Sequence, residues 1–219
     1  MIRKINYYGN PFIGLFIYTD DRHTFVPKNM PDRYIDSMID LETEVIKTNI
    51  AGCELLGVYV EGNSKGVILP YQTTEAESAV FKDLGYDCYI LNDKHNAIGN
   101  NLAVNDKGGI INPNINRKEI KKLEEVLGVE LIPMKILNYD AVGTLCVVTN
   151  KGFIVHNDVD EETIRKLKQI FKVDGINATV NMGSPLVSLG VIANDKGCIL
   201  GSETTGFEVQ RISEGLGLL

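Results

Sequence analysis

Asn105-Asp106-Lys107-Gly108 is one copy of a phrase that returns along the chain as Gly62-Asn63-Ser64-Lys65-Gly66, Thr149-Asn150-Lys151-Gly152 and Asn194-Asp195-Lys196-Gly197. The lysines of successive copies stand 42, 44 and 45 residues apart, and 43 residues before Lys65 lies Arg22 in Thr19-Asp20-Asp21-Arg22. A fixed period of this length means one supersecondary unit used five times. Each copy is flanked by apolar runs, such as Leu145-Cys146-Val147-Val148 before it and Phe153-Ile154-Val155 after it. Asn or Asp followed by a basic residue and Gly suits a type I turn closing on a left-handed Gly, so each copy is predicted to be a β-hairpin tip. The lysines invite a second reading, a basic rim, but the acids beside them cancel the charge and turn chemistry accounts for every position.

The remaining residues of each unit predict the order β-β-α-β. The first unit has a strand Phe12 to Tyr18, the tip, Thr24-Phe25-Val26, a helix after Pro31 with Tyr34, Ile35, Met38 and Ile39 at helical spacing, and a strand Glu44 to Thr48. The second has Leu55 to Val60, Val67 to Pro70, a helix opened by the capping box Thr74 to Glu77, and Asp87 to Leu91. The third has Ala97 to Val104, Gly109 to Ile111, a helix capped by Asn116 and Glu119 and stopped at Gly128, and Val129 to Ile132. The fourth has Val142 to Val148, Phe153 to Val155, a helix from Asp160 and a strand Ile176 to Val180; the fifth has Leu186 to Ala193, Cys198 to Leu200 and a helix capped by Thr205 and Glu208. The fifth unit lacks a closing strand, whereas the chain opens with an unassigned one, Ile2 to Tyr7. Pairing the two would close a ring and remove exposed sheet edges. The expected class is α+β, one domain over 1–219, with repeats at about 9–50, 51–93, 94–137, 138–181 and 182–219 plus 1–8.

Composition narrows the function classes. A chain of 219 residues, 44% hydrophobic and 23% charged, can bury a sizeable core. The net charge of −7 argues against a broad grip on nucleic-acid phosphates, DNA included, which needs clustered Lys and Arg. Cys53, Cys88, Cys146 and Cys198 lie far apart among strand-forming residues and predict four reduced core thiols in a cytoplasmic protein. The longest apolar run, Phe12 to Tyr18, is too short to cross a bilayer, and no signal-like stretch follows Met1. His23, His95 and His156 lack metal-ligand spacing, and no phosphate-binding glycine loop or nucleophile elbow occurs, so neither a metal nor a cofactor is expected.

Gly14, Gly57, Gly99, Gly143 and Gly190 recur in the first strand of the units, where crowding of five units at an axis supplies a reason for interior glycine. The third unit places Asn100-Asn101 where its sisters have mainly apolar pairs: Leu15-Phe16, Val58-Tyr59, Thr144-Leu145 and Val191-Ile192. Two amides there serve either a local hydrogen-bond need or a partner.

Ala51-Gly52-Cys53, Gly62-Asn63 followed by Gly66-Val67-Ile68-Leu69-Pro70, Ile98-Gly99-Asn100, Thr179-Val180-Asn181 with Gly183-Ser184, and Thr204-Thr205 follow one another in an order and spacing that closely resemble the translation initiation factor 6 family. The likeness spans the whole chain. It implies a pentein-type β/α propeller of five blades with pseudo-fivefold symmetry. It also implies a monomeric, non-enzymatic factor that binds the large ribosomal subunit, chiefly ribosomal protein with limited rRNA contact, and keeps the small subunit from joining, with a possible part in large-subunit biogenesis. Gly99, Asn100 and Asn101 fall on or beside the family's Gly-Asn motif, and with Val58 form the expected ribosome-binding set. The chain resembles the archaeal branch, without the C-terminal tail of the longer eukaryotic members, and has Glu54 and Val58 where those members carry basic residues. The alternative, by analogy of fold, is a guanidino-modifying enzyme with Cys198 as nucleophile, Glu203 close after it and His156 in the preceding unit. Apart from that alternative, no catalytic residue is expected.

Overall fold

Each repeat becomes a three-stranded sheet with a covering helix, and the computed structural model describes residues 2–219 of the chain in this way. The chain opens with β1 (Ile2–Ile5). The first sheet holds β2 (Tyr18–Thr19), β3 (His23–Pro27) and β4 (Glu44–Thr48), with α1 (Asp32–Ile35) continuing as a 3₁₀ helix over Asp36–Leu41. The second unit has α2 (Leu56–Tyr59), β5 (Glu61–Gly62), β6 (Gly66–Pro70), α3 (Glu75–Asp83) and β7 (Asp87–Leu91). The third has α4 (Ile98–Asn101), β8 (Leu102–Val104), β9 (Gly109–Ile111), α5 (Arg117–Leu127) and β10 (Leu131–Pro133). The fourth has β11 (Cys146–Val148), β12 (Gly152–His156), α6 (Glu161–Phe171) and β13 (Asp174–Ala178). The fifth has α7 (Val187–Gly190), β14 (Val191–Ala193), β15 (Cys198–Gly201) and α8 (Gly206–Gly215). Its third strand is β1, which lies parallel to β15 with Ile2 beside Cys198 and Ile5 beside Gly201. The class is therefore mixed α/β with five three-stranded sheets. The N-terminal strand stops at Ile5, short of the expected Tyr7, because Tyr7 and Asn10 close a tight turn.

The first strand of every unit is shorter than its apolar run predicts. Phe12 to Tyr18 contains a 3₁₀ turn at Ile13–Leu15, Val142 to Val148 another at Val142–Leu145, and α2, α4 and α7 take the same place elsewhere. These turns pack on one another in cyclic order: the first on α2, α2 on α4, α4 on the turn at Val142–Leu145, that turn on α7, and α7 on the first. So close to a common centre there is no space for strand pairing. The backbone is satisfied locally instead, as by Val60 N donating to Leu56 O at 2.8 Å. A Cβ on Gly57 would collide with Gly14 O, one on Gly99 with Gly57 O, one on Gly143 with Gly99 O, and one on Gly14 with Ser188 O. The fifth counterpart is thus Ser188 and not Gly190, and its hydroxyl donates to Thr144 O at 3.1 Å.

At the other end of the sheets the tips do more than turn the chain. Asn105 Oδ1 accepts from Lys107 N at 2.9 Å and Gly108 N at 3.1 Å, closing its own turn. Its Nδ2 donates to Thr149 O at 2.9 Å and Phe171 O at 3.0 Å in the next unit. Asn63 latches in the same way onto Asn105 O and Leu127 O, and Asn194 onto Asp20 O and Leu41 O. Lys65 and Lys196 donate to the helix-end carbonyls of Glu125 and Glu42, and Arg22 to Leu84 O, so these basic side chains cap neighbouring helices. Gly66, Gly108 and Gly152 do not have the left-handed φ that turn chemistry predicts. At Gly108 a Cβ would strike Ile170 O of the adjoining helix, so close approach is the requirement.

Apolar cores lie between sheets rather than within them. Phe25 of the first sheet packs with Val67 and Phe81 of the second unit, Ile68 with Leu102 and Leu123, Ile110 with Phe153 and Phe171, and Ile154 with Leu200 and Ile212. The fifth core joins Ile192 and Ile199 to Ile13, Val26 and Met38 of the first unit. Thr74 with Glu77 and Thr205 with Glu208 form the expected capping boxes. Asn116 caps Lys118 N alone, because Glu119 turns to accept from Tyr89 Oη at 2.7 Å.

Candidate binding surface

In each sheet the first two strands are antiparallel and the third is parallel to the second, so the chain enters and leaves every sheet at the end opposite the tips. The helical turns gather at that entry end. Val58 on α2 and Gly99, Asn100 and Asn101 on α4 are brought together there, since α2 and α4 pack on each other. They take different positions. Gly99 is buried beneath the carbonyl of Gly57, and Val58 is half-buried.

The two amides diverge. Asn101 is 7% exposed; its Nδ2 donates to Ala97 O at 2.8 Å and His95 O at 3.3 Å, and its Oδ1 accepts from Asn112 Nδ2 at 2.7 Å. Its backbone oxygen takes the Asn112 N–H at 2.8 Å, so Asn101 fastens α4 to the strand beside it. Asn100 is half-buried and accepts from Thr144 Oγ1 at 3.3 Å through Oδ1, while its Nδ2 has no partner among the described residues. A free amide at a surface can donate two hydrogen bonds to something outside the chain.

Sequence reasoning passed over three exposed turns at the same end of the sheets. Tyr8, Leu137 and Met182 sit in tight turns with φ of 50°, 53° and 61°, the left-handed region that bulky side chains seldom adopt. They are 65%, 41% and 74% exposed, with Tyr139 close after Leu137 also exposed. These turns follow the last strand of their units and so lie at the entry end. Their only signal in the sequence is the following Gly9, Asn138 or Gly183. Tyr8 is further held by Tyr7 and Tyr34, with ring centroids 4.8 and 5.6 Å away.

The four cysteines are free thiols. Cys146 and Cys198 are buried, but Cys53 and Cys88 are only partly so, since Cys53 closes a surface turn with Ile50. Cys198 lies in the core between the fourth and fifth units, where burial pushes its thiol up to about 12. His156 Nδ1 accepts from Asp158 N, His23 faces Tyr86 Oη and His95 pairs with Asp93, so each histidine has a local partner. Among the described residues no group of three or more His, Cys, Asp or Glu is placed to hold a metal ion, and no helix is long and apolar enough to cross a membrane.

A cavity of about 90 Å³ runs from the ring of turns toward the tips, lined by residues of all five units, including Gly57, Gly143 and Ser188 at one end and Tyr18, Glu61 and Cys146 deeper in. Burial pushes the Glu61 carboxyl up to about 8, against the pull of the Gly62 N–H that it accepts at 3.1 Å, with Asp20 adding to the rise.

Five like sheets, cores shared between neighbours, and exposed apolar turns at the same end as a free amide define a repeat protein of mixed α/β class. A model of the eIF-6 family matches residues 2–215. The chain is 39% identical over 220 residues to "Translation initiation factor 6" of Saccharolobus solfataricus, covering 99% of each chain. It is 40% identical over 225 residues to the protein of that name from Thermococcus gammatolerans, covering 100% of this chain and 99% of the other, and 34% identical over 217 residues to that of Pyrobaculum aerophilum, covering 99% of each. The chain belongs to the eIF-6 family.

Proposed function

We propose that this chain is a translation initiation factor that binds the large ribosomal subunit and prevents premature joining of the small one, with a further part in large-subunit biogenesis. The observation that carries the reading is the full-length match to relatives named translation initiation factor 6. In this reading residues 1–219 form one pentein-type propeller with pseudo-fivefold symmetry, closed by β1, acting as a cytoplasmic monomer without catalytic activity. The contact is made by the entry end, where Asn100 offers its Nδ2 beside Val58 and Gly99, and Tyr8, Leu137 and Met182 supply exposed apolar area at the same end. Support for a mainly protein contact comes from the net charge of −7 and from those exposed apolar side chains.

Co-sedimentation of the purified protein with separated subunits tests the reading. It is expected to migrate with the large subunit alone and to lower the yield of joined ribosomes. Failure to co-migrate at equimolar or excess factor, with joining unaffected, overturns it. The enzyme alternative is favoured by no observation at Cys198, whose thiol is buried and raised.

A further inference from the structure

Asn181, Met182 and Gly183 are three consecutive left-handed residues, with φ of 50°, 61° and 97°. Glycine takes that region freely, whereas the Cβ of Asn or Met crowds the backbone there, so a turn of this shape relaxes unless its surroundings hold it. The surroundings do. Val180 and Ser184 exchange backbone bonds of 2.9 and 2.8 Å at its base. Asn181, 7% exposed, donates through Nδ2 to Pro11 O at 3.0 Å and accepts through Oδ1 from Thr204 Oγ1 at 3.2 Å. The N–H groups of Met182 and Gly183 donate at 3.3 and 2.8 Å to a single carboxylate, that of Glu208. Glu208 lies on α8, is 4% exposed, and also accepts from Thr205 N at 2.7 Å, Thr205 Oγ1 at 2.9 Å and Thr179 Oγ1 at 2.9 Å. The carboxylate that caps this helix thus also fixes the turn between the fourth and fifth units. Of the three side-chain positions in that turn, Asn181 is buried and Gly183 is bare, and Met182 stands outside, 74% exposed.

The second unit repeats the device without the side chain. Glu77 on α3 accepts from Thr74 N at 2.9 Å and Thr74 Oγ1 at 3.0 Å and reaches Gly52 N at 2.9 Å, in the turn where Ala51 and Gly52 have φ of 52° and 70°. Holding a left-handed turn is therefore a task that these capping glutamates share, and what sets Glu208 apart is the exposed Met on its turn. A flexible thioether side chain on a fixed backbone suits an apolar contact, because binding then has only the side chain left to order. We propose, resting on the reading of the entry end as the large-subunit contact, that Glu208 is a positioning residue for that contact: it fixes the 181–183 turn so that Met182 anchors on a protein surface of the subunit.

Large-subunit affinity and thermal midpoint of the intact chain are the test, measured on the wild type, Met182→Ala, Glu208→Gln, their double variant, and Glu77→Gln as the matched control. Met182→Ala is expected to weaken binding about tenfold with the midpoint unchanged, and Glu208→Gln to weaken it comparably while lowering the midpoint. The double variant should bind no more weakly than the weaker of the two single ones, because the setting of the turn no longer matters once the side chain is gone. Glu77→Gln should lower the midpoint as Glu208→Gln does and leave the affinity of the folded chain unchanged. Should Glu208→Gln fail to fold, Met182→Gly carries the test: glycine relieves the left-handed residue, so the midpoint should hold or rise while affinity falls as in Met182→Ala. Wild-type affinity in Met182→Ala or Met182→Gly overturns the proposal and leaves the large-subunit reading standing. Losses that multiply in the double variant, or an equal loss of affinity in Glu77→Gln, would give Glu208 a structural role alone and overturn it as well. A wild type that does not co-sediment with the large subunit fails that reading itself, and the proposal with it.

Discussion

At the residue scale the proposed reading divides the Asn100-Asn101 pair, with Asn100 assigned to binding and Asn101 to folding. Asn100 leaves its Nδ2 free at the surface, so Asn100→Ala should weaken large-subunit binding about five- to a hundredfold, the equivalent of roughly 1–3 kcal/mol, with the midpoint nearly unchanged. Asn101→Ala should do the opposite, because Asn112 and two backbone carbonyls lose their partner in a buried place. Measuring subunit affinity and midpoint on both variants checks the assignment. Glu61 supplies a pH prediction. Its folded pKa of about 8 lies above the ordinary 4.5, so the folded chain holds a proton that the unfolded chain releases. Stability is therefore highest below about 4.5 as far as this group is concerned, and falls as pH rises toward 8, by on the order of 2–4 kcal/mol. Glu61→Gln should remove that slope, so that its midpoint advantage over the wild type is larger at pH 9 than at pH 6. The sequence marks the amide pair because one unit departs from its sisters. It does not mark Glu61, whose carboxyl is unusual only because five chain segments enclose it, nor Tyr8, Leu137 and Met182, whose backbone angles no residue type announces.

At the element scale the hairpin tips were legible as turns and illegible as latches. The turn needs only the Asn oxygen, which residue type reveals, whereas the Asn nitrogen reaches a unit 42 or more residues away. Asn105→Ala should consequently cost about 2–4 kcal/mol, since it frees the N–H groups of its own turn and two carbonyls of the next unit. Lys107→Ala, which removes one exposed bond to Asn150 O, should cost less than about 1 kcal/mol. Urea denaturation of the two variants gives the comparison. The first strands were overextended for a related reason. A run such as Leu55 to Val60 is apolar on every side, and periodicity cannot tell a buried strand from a buried turn. What decides is the closeness of Gly57 to Gly14 O, a contact between units.

At the scale of the whole molecule the 42 to 45 residue period was enough to count the units, and the missing last strand was enough to place β1 beside β15. The cyclic order of the cores was not written in any one repeat, because each core draws its residues from two. Removing residues 1–7 should accordingly unfold the chain in a single transition, as it exposes the edge of β15 and strips Tyr7 from the core shared by the fifth and first units. Circular dichroism of the truncated chain, showing no residual native step, is the expected result. Binding to the large subunit should depend weakly on salt for a ribosome ligand, with a log–log slope shallower than about −3, as fewer than about four phosphate contacts would give.

The parallel pairing of β1 with β15 has one more consequence. Ile2 and Leu218 pack against the same core, so the first and last described stretches of the chain belong to one unit. A short linker from Leu219 to Met1 would give the fifth unit a continuous strand order. New ends could then be cut at Gly52-Cys53, in a surface turn between the first and second units. Such a circular permutant should keep all five sheets, with circular dichroism matching that of the parent chain.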